Sequence, residues 1–237
     1  MKIITTSWDD GFPADFKLAE LLNKYNLPGT FYIPKTNTEH AVMDEKSIAE
    51  LGKKFEIGGH TLNHVRLYSN RSAAFLADEI KGCFNWITAL TGNNPASFCF
   101  PGGVFNAAAI YAVQQAGFKV IRTTELLSTS LTSTYNLQPT TLQLFNHPKT
   151  AYLKNTIKRN QYKNLLTWLI NGAETDILKL TDFYINKIIE KGGCFHLWGH
   201  SWEIEEYQLW HKLEVVFKHI SNINEFSYVQ NKELVLS

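Results

Sequence analysis

The chain has 237 residues, 44% of them hydrophobic, which suffices for a sizeable core, and residues 1–237 read as a single domain of barrel size. Its net charge of +1, from 23 basic and 22 acidic residues scattered along the chain, argues against nucleic acid or an anionic membrane as the main partner. No apolar stretch approaches transmembrane length, and the Met1-Lys2-Ile3-Ile4 start lacks the apolar segment of a secretory signal, so a cytoplasmic location is expected.

Strand-like and helix-like runs alternate. Ile3-Ile4-Thr5-Thr6 predicts a strand, and Ala14, Leu18, Leu21, Leu22 and Tyr25 recur at helical spacing. Pro28-Gly29 breaks that helix, and Thr30-Phe31-Tyr32-Ile33 predicts a second strand, stopped by Pro34. A helix over 45–53 leads to a strand at Phe55-Glu56-Ile57. Leu76, Ile80, Phe84, Ile87 and Leu90 form the apolar stripe of a long helix that ends before Gly92. Ser97-Phe98-Cys99-Phe100 is a fourth strand, Ala107 to Ala116 a helix, and Lys119-Val120-Ile121-Arg122 a fifth strand. The stretch 123–171 reads as less regular, with an extended piece near 137–144. A helix over Thr181–Glu190, a buried strand at Cys194–Trp198, an amphipathic helix marked by Leu209, Leu213, Val216 and Ile220, and a strand at Phe226–Val229 complete the chain. This βαβα order predicts a mostly parallel α/β sheet, open or closed into a barrel. Cys83, Cys99 and Cys194 are odd in number and far apart, which fits buried thiols and not a disulfide frame or a metal knuckle.

Two segments carry most of the chemistry. Thr6-Ser7-Trp8-Asp9-Asp10-Gly11 places paired carboxylates at a strand end, and Gly58-Gly59-His60-Thr61-Leu62-Asn63-His64 places two histidines four apart at another. Asp plus two His suits a divalent metal and leaves a coordination position open for water, and the spare carboxylate is a candidate general base. A zincin is a poor match because Thr61 stands where that motif needs Glu. Pro101-Gly102-Gly103 and His200 also follow predicted strands. In parallel α/β folds the C-terminal strand ends share one face, so these distant segments are expected to converge.

Together these segments resemble the polysaccharide deacetylase family, the NodB-homology or carbohydrate esterase family four group. Ser7-Trp8-Asp9-Asp10-Gly11 matches its first motif, His60-Thr61-Leu62-Asn63-His64 its His-Ser/Thr-x-x-His motif, Pro101-Gly102-Gly103 the Pro-x-Gly turn of the third, and Leu197-Trp198-Gly199-His200 the late leucine and histidine. The resemblance implies a distorted, incomplete (β/α) barrel of the NodB-homology type. It implies a metal-dependent hydrolase that removes acetyl groups, N-acetyl before O-acetyl, from a sugar, oligosaccharide or polysaccharide. Asp10, His60 and His64 would hold the metal, zinc first, with cobalt, nickel or iron also suited to the set. Asp9 would be the base, His200 the general acid, and the Gly102 N–H an oxyanion donor.

Cys99 stands where many family members carry an arginine that pairs with the base, and Arg122 on the fifth strand is the candidate replacement. The family's Asp-rich fourth motif is not recognisable near 122–125, and Glu203 is a weak substitute as the partner of His200. His196 shares strand parity with His200 and reads as a packed neighbour. Trp8 and Trp198 read as packing residues and Trp202 as a possible cleft wall. His40, His147, His211 and His219 carry no defensible partner spacing. Two other functions stay open on the residues alone: hydrolysis of a small amide or ureide on the same fold, and a carbohydrate-binding pseudoenzyme.

Overall fold

The computed structural model describes residues 1–68, 71–132 and 136–234. Its nine-stranded sheet is parallel throughout the described pairings, in the order β6-β5-β4-β3-β2-β1-β8-β7, with β9 added beside β1. The strands are β1 (Lys2–Asp9), β2 (Thr30–Ile33), β3 (Glu56–Gly59), β4 (Ser97–Cys99), β5 (Val120–Arg122), β6 (Leu137–Gln138), β7 (Leu142–Gln143), β8 (Gly193–His200) and β9 (Ser227–Tyr228). Residues 139–141 run from one end of the strand order to the other, where Thr140 N–H donates to Glu125 O and Thr141 N–H to His196 O. The sheet therefore curls into an incomplete (β/α) barrel, as the resemblance implied.

Helices α1 (Asp15–Lys24), α2 (Glu45–Leu51), α3 (Ala73–Thr91), α4 (Ala107–Ala116) and α7 (Ile177–Lys191) follow or precede the strands as crossovers. Local chemistry sets several of their ends. Ser72 and Asn106 cap α3 and α4 by accepting from Phe75 N–H and Ala109 N–H, and Gly92 and Gly117 close them in left-handed conformations. The irregular stretch corrects the sequence expectation: it holds α5 (Lys149–Lys158) and α6 (Tyr162–Ile170) as well as β6 and β7. The late strand runs on past Trp198 to His200, and α8 (Ser201–Glu206) and α9 (Trp210–Ile220) follow it.

Alternation along β1 sorts its side chains. Ile4 and Trp8 enter the main apolar core beneath the helices, with Leu18, Leu22, Phe217 and others. Ile3, Thr5, Ser7 and Asp9 point the other way, into the barrel. The barrel interior is layered. Ile3, Val120, Cys194 and Leu234 form an apolar floor. Above it lies a polar layer. Ser7 Oγ meets His196 Nε2 at 2.8 Å, and a 3-10 turn at Asn231–Glu233 plugs the barrel from below. Asn231 is fully buried, accepts from Thr5 Oγ at 2.8 Å and donates from Nδ2 to the Tyr32 hydroxyl at 2.8 Å. Lys232 N–H, Thr30 Oγ and Ser97 Oγ all donate to the buried Glu56 carboxylate. Burial and the Arg122 charge hold the His196 imidazole well below its usual pKa, so it is a neutral structural partner.

Removing the Asn231 amide strands two buried hydroxyls. Asn231→Ala is expected to cost about 2–4 kcal/mol of stability, read as a lower urea midpoint at unchanged slope. A midpoint equal to wild type would show that the plug contributes nothing.

Candidate active site

The strand register brings the motifs together. The β1–β8 ladder sets Asp9 beside His200, and the β1–β2 ladder sets Asp9 beside Tyr32. The β4–β5 ladder sets Cys99 beside Arg122. All these residues lie at C-terminal strand ends; Asp9 and His200 line a cleft of about 530 Å³, with Tyr32, Cys99 and Arg122 buried outside its lining.

Asp10 turns into the cleft with φ of +82°, and Thr61 and His64 also hold positive φ, at 58° and 52°. Non-glycine residues pay conformational energy for such angles, and they cluster where surrounding structure fixes a functional geometry. Gly11 follows at φ +65°, where a Cβ would sit 2.5 Å from Ile33 Cγ2, so only glycine fits this turn.

Asp10, His60 and His64 each offer one ligand atom within 4.8 Å of the others. Asp10 Oδ1 faces His60 Nε2 at 3.4 Å and His64 Nε2 at 3.0 Å, and it has no hydrogen bond among the described residues. His60 Nδ1 lies 2.9 Å from the Cys99 carbonyl, which can only accept, so this nitrogen carries a proton and a neutral His60 has its lone pair at Nε2. Trp202 Nε1–H donates to Asp10 Oδ2 at 2.8 Å and leaves Oδ1 aimed at the histidines. Burial pushes the Asp10 carboxyl up, but the facing His60 and His64 imidazoles and the His200 charge outweigh it and hold the group well below the usual carboxylate range. A buried carboxylate oxygen and two imidazole lone pairs converging on one point fit a divalent cation.

Asp9 is also buried. Arg122 Nη2 contacts its Oδ1. The guanidinium is fully buried between aromatic faces, 4.6 Å from the Trp198 ring centroid and 5.1 Å from that of Tyr32. Burial works against the charge on Arg122, and the Asp9 carboxylate outweighs it, so the side chain stays cationic. The position opposite Arg122 on β4 holds Cys99, whose Sγ lies 3.9 Å from Asp9 Oδ2. Burial pushes this thiol up, so it remains neutral. The cation thus stands one strand away from the place where the family resemblance would put it.

His200 Nε2 lies 3.9 Å from Asp9 Oδ2 and 4.0 Å from Asp10 Oδ2. Its Nδ1 is 2.6 Å from Glu203 Oε2, one turn on in α8. Glu203 also accepts from Gln143 Nε2 at 3.0 Å, and Gln143 Oε1 in turn accepts from His147 Nε2 at 2.9 Å. A carboxylate that accepts from Nδ1 fixes the His200 ring with Nε2 toward the two aspartates. Burial lowers the His200 pKa, but Glu203, Asp10 and Asp9 outweigh it, and the net shift is upward.

This shift has a testable sign. A step that needs protonated His200 fails as pH rises through its pKa. Glu203→Gln removes an anion that raises the pKa, so the alkaline limb of the kcat profile is expected to move to lower pH, with kcat about tenfold down. An unmoved limb would show that Glu203 does not act through His200.

The turn after β4 contributes Gly102 at the cleft wall, with φ +61°. Gly103 is forced, because a Cβ there would sit 2.1 Å from Thr124 Oγ1.

The structure gathers Asp9, Asp10, His60, His64, Gly102 and His200 around one cleft, with Arg122 directly behind Asp9. It also supplies residues that the motifs do not flag. His40 stacks on Trp202 at 4.0 Å and 17°, and Gln143 and His147 extend the Glu203 network. Trp198 and Trp202 both line the cleft, whereas Trp8 is wholly core.

Residues 1–121 match the family model described as polysaccharide deacetylase. Among solved structures, a Mycobacterium smegmatis protein aligns over 98% of this chain and 88% of its own, with a TM-score of 0.66 at 13% identity. A family 4 acetyl xylan esterase from Clostridium thermocellum, in complex with a cobalt ion, aligns over 98% and 90%, with a TM-score of 0.57 at 14% identity. The deacetylase PplD of Streptococcus pyogenes, in complex with acetate, aligns over 56% of this chain and 61% of its own, with a TM-score of 0.51 at 20% identity. No curated protein matches the chain in sequence. Residues 1–121 make up just over half of the 237, and on that match the chain belongs to the polysaccharide deacetylase family.

Proposed function

We propose that the chain is a metal-dependent deacetylase acting on an N-acetylated sugar or oligosaccharide. The observation that carries this reading is the pairing, in one cleft, of an Asp10-His60-His64 set with a separate carboxylate and imidazole, Asp9 and His200. The cobalt ion of the Clostridium thermocellum esterase and the acetate of the Streptococcus pyogenes deacetylase support the same chemistry. Zinc, cobalt, nickel and iron all suit one carboxylate and two imidazoles, and zinc is the first choice.

Asp10 Oδ1, His60 Nε2 and His64 Nε2 would hold the ion. When bound it supplies a Lewis acid and a water of lowered pKa. The chain's own residues do the rest. Asp9 Oδ1 is engaged by Arg122, so Oδ2 is the atom that takes a proton from the attacking water. Gly102, on the cleft wall, is the proposed backbone N–H donor to the developing oxyanion. His200 Nε2 gives its proton to the leaving amine, and Glu203 stabilises the imidazolium until it does so.

The test is acetate release from N-acetyl-chitooligosaccharides beside acetylated xylan. Faster release from the chitooligosaccharides supports the N-acetyl reading. Faster release from xylan would make the chain an O-acetyl esterase on the same site. The intact Asp9 and His200 speak against a binding-only role, and release from neither polymer would bring that role forward.

A further inference from the structure

The near-neutral total charge conceals a local asymmetry. Residues 149–172, which form α5 and α6 and the turn after them, contain Lys149, Lys154, Lys158, Arg159 and Lys163 and no acidic residue. Arg159 is used internally, donating to Gly103 O and Thr124 Oγ1. The four lysines are exposed and have no ion-pair partner among the described residues. On α6, Tyr162, Leu166, Leu169 and Ile170 fall on one helical face and are 60%, 59%, 46% and 74% exposed. The same helix is held to the protein by its other side, through the buried Trp168, whose ring lies 5.4 Å from that of Tyr152 on α5. Ile157 on α5 is also half exposed, between Lys154 and Lys158. An amphipathic helix whose apolar stripe faces solvent has an unmet partner.

We propose that the α5–α6 hairpin docks this chain on an anionic lipid bilayer, with the α6 stripe at headgroup depth and the lysines on the phosphates. Charge selects this occupant. A second copy packed face to face would set the same lysines against one another. A single-stranded nucleic acid would call for stacking aromatics, whereas this stripe is mainly Leu and Ile. An anionic bilayer meets both features at once. No helix among the described residues is long and apolar enough to cross a membrane, so the hairpin would lie on the surface. Ala151 and Asn155, next to Lys154 and Lys158 around α5, line the cleft, so docking sets the cleft mouth beside the bilayer.

The experiment is co-sedimentation of the full chain with phosphatidylcholine vesicles, with and without phosphatidylglycerol. Binding to the anionic vesicles is expected to exceed binding to pure phosphatidylcholine by about tenfold or more and to weaken as salt rises. Leu166→Glu with Ile170→Glu, at exposed positions, is expected to lower it about tenfold or more at unchanged melting temperature. Lys154→Gln with Lys158→Gln and Lys163→Gln gives an independent loss without touching the apolar stripe. Equal binding to both vesicles, no binding to either, or wild-type binding by the folded variants would overturn the proposal. So would a dimer that the Leu166/Ile170 variant splits. The assay needs no turnover, so its failure is separate from any failure of the deacetylase reading.

Discussion

Asp9→Asn is expected to lower deacetylation by about 10²–10⁴-fold while the protein retains its full metal content. Asparagine keeps the shape of the side chain and cannot take a proton at Oδ2. The proposed ligands are Asp10, His60 and His64, a set that does not include Asp9. Asp10→Asn is the control, because it weakens the ion's own site and lowers both metal content and rate. Initial rates beside elemental analysis of each variant separate the two roles. An Asp9→Asn enzyme that turns over like wild type would remove Asp9 from the chemistry.

Arg122→Met should slow turnover by about 100-fold with little loss of metal, because Asp9 loses the contact that holds Oδ1 and orients Oδ2. The variant also leaves Asp9 as an unpaired buried charge, which costs about 3–5 kcal/mol of stability when one partner of such a pair is removed. Rates must therefore be measured well below the lowered melting temperature. The β4–β5 register offers a stricter test. Cys99→Arg combined with Arg122→Cys moves the cation to the neighbouring strand while conserving the pair. Recovery of turnover relative to Arg122→Met would show that the cation matters and its strand of origin does not. Unchanged activity in Arg122→Met would reduce this arginine to packing between Trp198 and Tyr32.

The legible parts of the fold are those where burial and periodicity agree. β2 is four consecutive buried, β-prone residues bounded by Gly29 and Pro34, and it forms as read. α3 buries Leu76, Ile80, Phe84 and Ile87 on the side that their spacing predicts. The stretch 123–171 resisted reading for a physical reason. Neither α5 nor α6 has a side-chain N-cap, and α6 turns much of its apolar stripe to solvent. Its pattern therefore reports something other than the core. The strand expected at Phe226–Val229 shrinks to Ser227–Tyr228, and the barrel plug at Asn231 follows it. A short polar turn that satisfies buried hydroxyls leaves no hydrophobic signal to find.

At the site, Asp9, Asp10, His60 and His64 stand in two short motifs, so local spacing was enough to propose them. Cys99 leaves the base without the expected cation, Arg122 is the nearest candidate on the adjacent strand, and its guanidinium does sit on Asp9. Glu203 was accessible because it lies one helical turn from His200. Trp202 reads as a cleft wall from its place beside His200, whereas its bond to Asp10, and the parts of Gln143, His147 and His40, have no such handle. They meet the site through the β7–β8 pairing, the α8 turn and the loop before α2, none of which a local pattern encodes.

The most direct test of the central reading is acetate release from N-acetyl-chitooligosaccharides by the protein as purified, after chelation, and after return of zinc or cobalt, with metal content measured at each stage. Activity that disappears with the ion and returns with about one ion per chain is the predicted result. Undiminished activity in fully chelated, metal-free protein would contradict the assignment of Asp10, His60 and His64 as the ligands of a required ion.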